Sequence, residues 1–99
     1  MSEKKLQDDC IKVLKEKGIY FINVFGSGRS AKGAPDLITC INGRFVGFEL
    51  KVGRNQMQDD QKIHKLRIER SGVLHYCPRS VEEFKKILEG LHEDESGPY

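Results

Sequence analysis

The sequence predicts a small α/β protein whose elements follow the order α-β-β-β-α-β-α. Two apolar runs, Leu37–Ile41 and Phe45–Leu50, flank Asn42-Gly43, the dipeptide that most strongly signals a two-residue hairpin turn. Segments with helix caps and helical spacing of apolar residues lie on both sides of this hairpin. Ninety-nine residues, 37% of them hydrophobic and 32% charged, suit one globular domain.

A helix and a strand are expected before the hairpin. Ser2 can cap a helix over residues 3–17, and Gly18 is a suitable C-terminal stop. At about 100° per residue this helix has one apolar stripe, made of Leu6, Cys10, Val13 and Leu14. The run 19–25 is rich in β-branched and aromatic residues, which favours a first strand. We expect its aromatic side chains to lie in the core rather than to stack on bases: Tyr20, Phe21 and Phe25.

A second helix should follow the hairpin. It begins near Asn55 or Gln58, which are spaced as in a capping box, and it ends at residue 69 or 70. Its apolar stripe is thin and consists of Met57, Ile63, Leu66 and Ile68. The polar residues between them are therefore either exposed or turned toward a polar site, and they are Gln58, Gln61 and His64.

The C-terminal part of the chain predicts a short strand and a last helix. The strand covers residues 73–77, and the helix covers residues 81–88. Ser80 caps this helix with Glu83 in the capping-box position, and Gly90 is expected to end it.

The composition excludes several classes of protein. No apolar run approaches the roughly 18 residues of a membrane span, and residues 1–5 lack the apolar core of a signal peptide, so we expect a cytoplasmic protein. The net charge of +2 does not by itself indicate nucleic acid binding. We expect a single domain over residues 1–90 and a polar tail over residues 91–99. Three cysteines without C-x-x-C spacing predict buried reduced thiols rather than disulfides or a zinc site: Cys10, Cys40 and Cys77.

The hairpin turn determines which residues face each other. If Ile41 faces Arg44, counting back along both strands places Asp36 opposite Glu49. Directly opposed residues have Cβ atoms about 4.5–5.5 Å apart, and like charges there are destabilising. A divalent cation that bridges both carboxylates would turn this repulsion into binding, because Mg²⁺ takes one or two carboxylates together with waters and phosphate oxygens.

Lys51 and Glu3 are the further charged candidates. Lys51 lies two residues beyond Glu49, so strand alternation places it on the same face as both carboxylates. Glu3 falls in the middle of the apolar stripe of the first helix and has two interpretations. It is either an exposed first-turn acid favoured by the helix dipole, or a carboxylate directed toward the same site. A solvated strand face is the alternative for Glu49 and Lys51, but it leaves the facing Asp36 unexplained.

A glycine-rich basic segment, residues 26–33, precedes the hairpin. It lacks the Gly-Lys-Ser/Thr helix start of a Walker A loop. It is either an ordinary connection or a segment that places backbone N–H groups and cations against phosphates, and its position beside the acids favours the second. The candidate nucleic-acid-binding residues are Ser27, Gly28, Arg29, Ser30 and Lys32, together with Arg54 after the hairpin.

The motifs around the hairpin resemble those of known nucleases. Pro35-Asp36, twelve intervening residues and Glu49-Leu50-Lys51 resemble the signature of the PD-(D/E)xK nuclease superfamily. Over residues 3–89 the chain resembles the virus-type replication-repair nuclease family, VRR-NUC, through Glu3, Gly33-x-Pro35-Asp36-Leu37-Ile38, Phe48-Glu49-x-Lys51, Gln61 and Ser71-Gly72. The resemblance implies a restriction-endonuclease-like core, in which helices flank a small central mixed sheet.

The resemblance also implies a set of metal ligands. Asp36 and Glu49 would bind Mg²⁺, or Mn²⁺ in its place, and the backbone carbonyl of Leu50 would add a third oxygen. Glu3 would hold a metal-bound water or a second ion. No small-molecule cofactor is expected.

Two more residues receive roles from the resemblance. Lys51 would orient the attacking water or stabilise the phosphorane. Gln61 would support Lys51 or the phosphate, with Gln58 in its place if the helix register differs. The three histidines lie on different elements without paired metal-ligand spacing, so we assign no role to His64, His75 and His92.

The function implied by the resemblance is that of a metal-dependent DNA endonuclease. Stand-alone members of the family act as homodimers on branched DNA, such as four-way (Holliday) junctions, and are often phage-encoded. Two other functions stay open, namely a non-catalytic nucleic-acid-binding module of the same fold and a flap or single-strand nuclease. The joint presence of Asp36, Glu49 and Lys51 argues against the non-catalytic module.

Overall fold

A computed structural model describes residues 2–24 and 33–93. Within these ranges the elements follow the predicted order. The helices are α1 (Glu3–Glu16), α2 (Asp59–Arg70) and α3 (Val81–Glu93), and the strands are β1 (Tyr20–Asn23), β2 (Leu37–Ile41), β3 (Arg44–Phe48) and β4 (Leu74–Tyr76). None of the helices in the described part of the chain is both long enough and apolar enough to cross a bilayer.

The strands form one mixed sheet in the order β1-β2-β3-β4. The first three strands are antiparallel neighbours, and β4 runs parallel to β3. A parallel pair needs a crossover connection, and α2 lies within the segment that joins β3 to β4. The predicted fold class, a small mixed sheet flanked by helices, is therefore confirmed.

The hydrophobic core lies between one face of the sheet and the helices α1 and α3. The predicted stripe of α1 is buried, and so are the alternating residues that the hairpin register assigns to one face. The ring of Phe84 from α3 packs edge-on against Phe48 of β3, with 4.8 Å between ring centroids. The core side chains are Leu6, Cys10, Val13, Leu14, Leu37, Ile41, Val46, Phe48, Leu50, Phe84, Leu88 and Leu91.

Helix α1 has the predicted ends. Ser2 Oγ accepts a hydrogen bond from the Lys5 N–H at 3.0 Å, as expected of an N-cap. Gly18, one residue beyond the C-cap, has a φ of 69°, a left-handed conformation that glycine adopts without strain. The cysteines are free, with Cys10 buried and the other two half-buried.

Strand β1 differs from its prediction in length and in exposure. It covers four residues, and Phe25 lies outside the described residues. Phe21 packs against the core as expected, but the expectation for Tyr20 is wrong, because its side chain is 66% exposed. Ile22, on the same side of the strand as Tyr20, is 45% exposed. Alternation places both on the sheet face away from α1 and α3.

Helix α2 packs on this second face, and its apolar stripe is not buried as expected. Ile63 and Leu66 are 51% and 48% exposed, and α2 has no fully buried residue. Polar contacts hold the helix instead, such as the bond from Lys65 Nζ to the His75 carbonyl at 2.6 Å. Ile63 and Leu66 of the predicted thin stripe are therefore exposed rather than part of the core.

The start of α2 agrees with one of the two predicted positions. Gln58 is the N-cap, and its N–H donates to Gln61 Oε1 at 2.7 Å. The capping glutamine is thus Gln61, and the expected pairing of Asn55 with Gln58 is wrong. The Asn55 carbonyl instead accepts a hydrogen bond from the Arg79 guanidinium.

Helix α3 begins as predicted and extends further than predicted. Ser80 Oγ accepts from the Glu83 N–H at 3.1 Å. The expected end at Gly90 is wrong, because the helix continues to Glu93. Leu91, expected in the tail, is only 4% exposed. Burying a leucine stabilises by about 1.5–3 kcal/mol, which outweighs the roughly 1 kcal/mol cost of a glycine inside a helix.

Candidate metal site at the open end of the hairpin

The hairpin of β2 and β3 places two carboxylates side by side at its open end. Asn42 and Gly43 form the turn with φ values of 54° and 80°, as a type I′ turn requires, and the strand pairs have the predicted register. Asp36 and Glu49 are the next residues on the two strands, and their carboxyl groups are close enough to share a hydrogen bond. The register that predicted this pair is confirmed.

Burial shifts the protonation of both carboxyl groups. Glu49 is 2% exposed, and burial, followed by the charge of Asp36 and the hydrogen bond with it, raises its pKa to about 8. Burial also raises the pKa of Asp36, although the Leu50 N–H, which donates to Asp36 Oδ2 at 2.8 Å, opposes this shift. Two neighbouring carboxylates cannot both ionise at low cost in such a place. Without a cation, the pair therefore holds one shared proton at neutral pH.

The two oxygens of Glu49 have different surroundings. Oε2 accepts a hydrogen bond from Gln61 Nε2 at 2.9 Å and lies 4.0 Å from Lys51 Nζ. Apart from the proton shared with Asp36, Oε1 is buried without a hydrogen-bond partner among the described residues. A buried oxygen without a partner costs about 1–3 kcal/mol. A divalent cation held by Oε1 and Asp36 would supply the missing partner and neutralise the pair, so these residues fit a hard cation such as Mg²⁺.

The site offers two carboxylate side chains as metal ligands and does not surround the cation with protein ligands. Over residues 2–24 and 33–93, no group of three or more His, Cys, Asp or Glu side chains is arranged as a metal site. Two carboxylates are the donor number that Mg²⁺ uses when it keeps several waters and contacts substrate phosphates. A structural zinc ion would instead call for four ligands, mostly sulfur and nitrogen.

Lys51 is the charged neighbour of the carboxylates and is itself nearly buried. Its side chain is 11% exposed, and Nζ lies 3.9 Å from Glu3 Oε1 and 4.0 Å from Glu49 Oε2. Glu3 stands in the first turn of α1, where the helix dipole favours an acid, and its carboxylate is also directed toward Lys51. Both interpretations of Glu3 are therefore compatible with its position. The two distances are too long for hydrogen bonds, so neither contact fixes the ammonium group.

Gln61 connects the start of α2 to Glu49. Its Nε2 donates to Glu49 Oε2, and its Oε1 accepts from the Gln58 N–H. Because Oε1 is engaged at the helix start, the amide presents its donor side to the carboxylate. Between the two predicted candidates, Gln61 reaches the site. Its contact is with Glu49, whereas the prediction named Lys51 or the phosphate.

Two side chains near the site were missed by sequence reasoning. Gln7 is 2% exposed and donates from Nε2 to Asn23 Oδ1 at 2.7 Å, which ties α1 to the end of β1. Its position beside the apolar stripe of α1 was the sequence feature that pointed to its burial. Arg79 donates to the carbonyls of Gly53, at 3.2 Å, and Asn55, which fastens the loop after β3. No local pattern points to this contact, because its partners lie far apart in sequence.

The predicted nucleic-acid-binding residues fall into two groups. Arg54 is exposed in the loop that Arg79 fastens. The other five lie outside the described residues, and their role stays a prediction: Ser27, Gly28, Arg29, Ser30 and Lys32. The Leu50 carbonyl likewise stays a predicted ligand.

The histidines of the described helices and strands keep a structural interpretation. His75 is 3% exposed on β4, and burial, followed by the charge of Lys65, lowers its pKa to about 4, so the ring is neutral. His64 is half-buried on α2, where its ring lies close to Gly33. The side chain of His92 lies outside the described residues.

Comparisons with known proteins identify the fold. No protein-family profile matches the sequence, and no curated protein gives a significant match. Among solved structures, a VRR_NUC domain superposes with a TM-score of 0.73 and 22% identity, over 88% of this chain and 94% of that one. The Holliday junction resolvase Hjc of the hyperthermophilic archaeon Archaeoglobus fulgidus superposes with a TM-score of 0.51 and 20% identity, over 78% of this chain and 70% of that one. The chain therefore has the restriction-endonuclease-like fold of the VRR_NUC domain, as its motifs implied.

Proposed function

We propose that this protein is a metal-dependent DNA endonuclease that hydrolyses phosphodiester bonds at the open end of the hairpin. One observation carries the proposal, namely the buried Glu49 paired with the half-buried Asp36 beside the nearly buried Lys51. Apart from the proton shared with Asp36, Glu49 Oε1 has no hydrogen-bond partner within the described residues. The shared fold with a VRR_NUC domain and with a Holliday junction resolvase supports this assignment. Mg²⁺ is the proposed cation, and Mn²⁺ is expected to replace it.

The chemistry needs a hydroxide at neutral pH and a means of neutralising charge on the phosphate. A bound divalent cation supplies both, because it lowers the pKa of its water and acts as a Lewis acid. Asp36 and Glu49 would hold the cation, and the proton that they share without it would leave the pair. Lys51 adds a second positive charge where the phosphate oxygens become more negative.

Gln61 and Glu3 support these groups. Gln61 donates to Oε2 of Glu49 and so orients the carboxylate that would bind the cation. Glu3 attracts the Lys51 ammonium from the other side and offers a carboxylate to a water or a second ion. The site is thus assembled from α1, the hairpin and α2, and it depends on their mutual packing.

We propose branched DNA, such as a four-way junction, as the substrate, and a homodimer as the active form. The similar fold of Hjc, which is a Holliday junction resolvase, supports this choice of substrate. A two-fold dimer would present two equal sites to the paired strands of a junction. A cytoplasmic location and a phage origin remain predictions.

A cleavage assay tests the proposal. Labelled linear duplex, single-stranded, flap and four-way-junction DNA are incubated with the purified protein in Mg²⁺, Mn²⁺ or EDTA. We expect paired cuts in the junction with either cation and none in EDTA. Glu49→Gln should be inactive, whereas Lys85→Gln, a change at an exposed position of α3, should cleave like the wild type. Cleavage in EDTA, or by the Glu49→Gln variant, would contradict the metal mechanism.

Two other results would identify the alternative functions. DNA binding without cleavage in either cation would indicate a non-catalytic module of the same fold. Cleavage of flap or single-stranded DNA with an intact junction would indicate a flap or single-strand nuclease. Each result replaces the proposed substrate or activity with a specific other one.

A further inference from the structure

The second face of the sheet is only half covered by the described residues. Helix α2 packs against β4 on this face, and in the described part of the chain no helix packs over β1, β2 and the start of β3 there. The register places five apolar side chains on this face, which together are called the bare strip: Tyr20, Ile22, Ile38, Cys40 and Phe45.

The large apolar side chains that the described residues expose all lie on this side of the sheet. Tyr20, Ile22 and Phe45 of the bare strip are 66%, 45% and 55% exposed. The others are Ile63 and Leu66, which point away from the sheet. The direction follows from helical spacing, because Gln61, Lys65 and Ile68 on the opposite side of α2 contact or face the sheet. Ile63 and Leu66 are called the α2 ridge.

The bare strip is about as wide as one helix. The strip spans β1, β2 and the start of β3, and three neighbouring strands about 4.8 Å apart make it roughly 10 Å wide, which is the diameter of one helix. None of the five strip side chains is charged, so the strip lacks the charges that usually protect an exposed sheet surface. One helix with an apolar outer ridge would therefore cover the strip.

We propose that the α2 ridge of a second copy of this chain packs on the bare strip. Two-fold symmetry makes the contact reciprocal, so each α2 lies between its own sheet and the sheet of its partner. This inference rests on the homodimer of the proposed function and names the surface that forms it.

The apolar area is sufficient for a stable dimer. At roughly 200 Å² for a large side chain, the exposed fractions of the strip and ridge residues amount to about 500 Å². A standard interface buries about 800 Å² on each partner, of which about 65% is apolar in homodimers. The two amounts agree, whereas a patch of this size on a monomer lies at the upper end of the usual range.

Two single substitutions test the pairing. Ile63→Glu places a charge on the α2 ridge, and Ile22→Lys places the opposite charge on the bare strip. Each should raise the dimer dissociation constant at least about 100-fold, because an unpaired charge would be buried twice in the symmetric interface. Lys85→Glu is the charge-changing control on α3, and it should leave the dissociation constant unchanged. Sedimentation equilibrium measures the constant, and circular dichroism verifies that each variant is folded.

Mixing the two variants distinguishes the proposed contact from other dimers. In a mixed dimer the substituted ridge faces the substituted strip with opposite charges, and the other half of the interface is native. The mixture should therefore form dimers although neither variant does so alone. A mixture that stays monomeric would overturn the ridge-on-strip contact, since ridge-to-ridge or strip-to-strip dimers gain nothing from mixing.

The same samples separate this inference from the proposed nuclease activity. Wild-type protein that stays monomeric at high concentration but cleaves DNA with Mg²⁺ would overturn the interface and leave the nuclease intact. Wild-type dimers that dissociate through Ile63→Glu and recover on mixing, but cleave no DNA, would support the interface and overturn the nuclease. Ile63→Glu protein that remains dimeric would also overturn the interface.

Discussion

Replacing Glu49 with glutamine should stabilise the cation-free protein at neutral pH. The change removes a carboxylate that is ionised in the unfolded chain and has to take up a proton when folding buries it beside Asp36. The glutamine oxygen can still accept from Gln61 Nε2, and the new amide N–H can donate to Asp36. The variant therefore keeps the hydrogen bonds of the site and needs no proton uptake on folding at neutral pH.

The size of this effect follows from the pKa of Glu49. A carboxyl whose pKa is raised from 4.5 to about 8 binds its proton more tightly in the folded than in the unfolded chain. Its contribution to the free energy of unfolding is therefore complete below about pH 4.5 and decreases as the pH rises to about 8. At about 1.4 kcal/mol per pKa unit, about 3 kcal/mol is lost by pH 7. Because the proton is shared with Asp36, we expect Glu49→Gln to recover about 2 kcal/mol of this loss.

Unfolding experiments in EDTA between pH 5 and pH 8 measure the effect. At pH 7 the Tm of Glu49→Gln should exceed that of the wild type by about 10 °C, and the difference should shrink toward pH 5. Added Mg²⁺ should raise the Tm of the wild type and leave that of the variant unchanged. His75, whose lowered pKa makes stability rise over part of this range, contributes equally to both proteins, so the Tm difference between them isolates Glu49. A difference that does not grow from pH 5 to pH 8 would contradict this prediction, and so would a variant that is less stable throughout.

Three further predictions concern neighbours of the carboxylate pair. Lys51→Met should slow cleavage at least about 100-fold, because the ammonium group acts on the phosphate, while the Mn²⁺ affinity measured by calorimetry stays the same or improves. A joint loss of affinity and cleavage would instead indicate that Lys51 supports metal binding. Gln61→Leu should weaken Mn²⁺ binding about 10-fold or more, because Glu49 loses its donor at 2.9 Å; an unchanged binding isotherm would remove the positioning role. Gly33→Ala should lower the free energy of unfolding by about 2 kcal/mol, because φ is 90° and a Cβ would lie 2.6 Å from the Asp60 carbonyl oxygen. A variant that unfolds at the same urea concentration as the wild type would contradict this close approach.

The pairing of the carboxylates could be predicted because it depends on local rules. The Asn42-Gly43 turn specifies a two-residue hairpin, and strand alternation then determines every facing pair out to Asp36 and Glu49. The position of Lys51 follows from the same alternation. Counting residues was therefore sufficient to find the centre of the site.

The parts that could not be predicted depend on contacts between distant segments. Gly90 is a helix stop by local propensity, but burial of Leu91 against the core extends α3 through it. Ile63 and Leu66 have the spacing of a buried stripe, yet polar contacts turn the opposite side of α2 to the sheet. The fastening of the loop after β3 by Arg79 has no local signal at all.

In the proposed site, Asp36 and Glu49 exchange one shared proton for a divalent cation. Calorimetric titration of Mn²⁺ at pH 7, in two buffers with different ionisation enthalpies, counts the protons released for each cation bound. With a Glu49 pKa of about 8, we predict close to one proton per Mn²⁺ for the wild type, and neither binding nor proton release for Glu49→Gln. Binding without proton release, or equal affinity and proton count in both proteins, would contradict the claim.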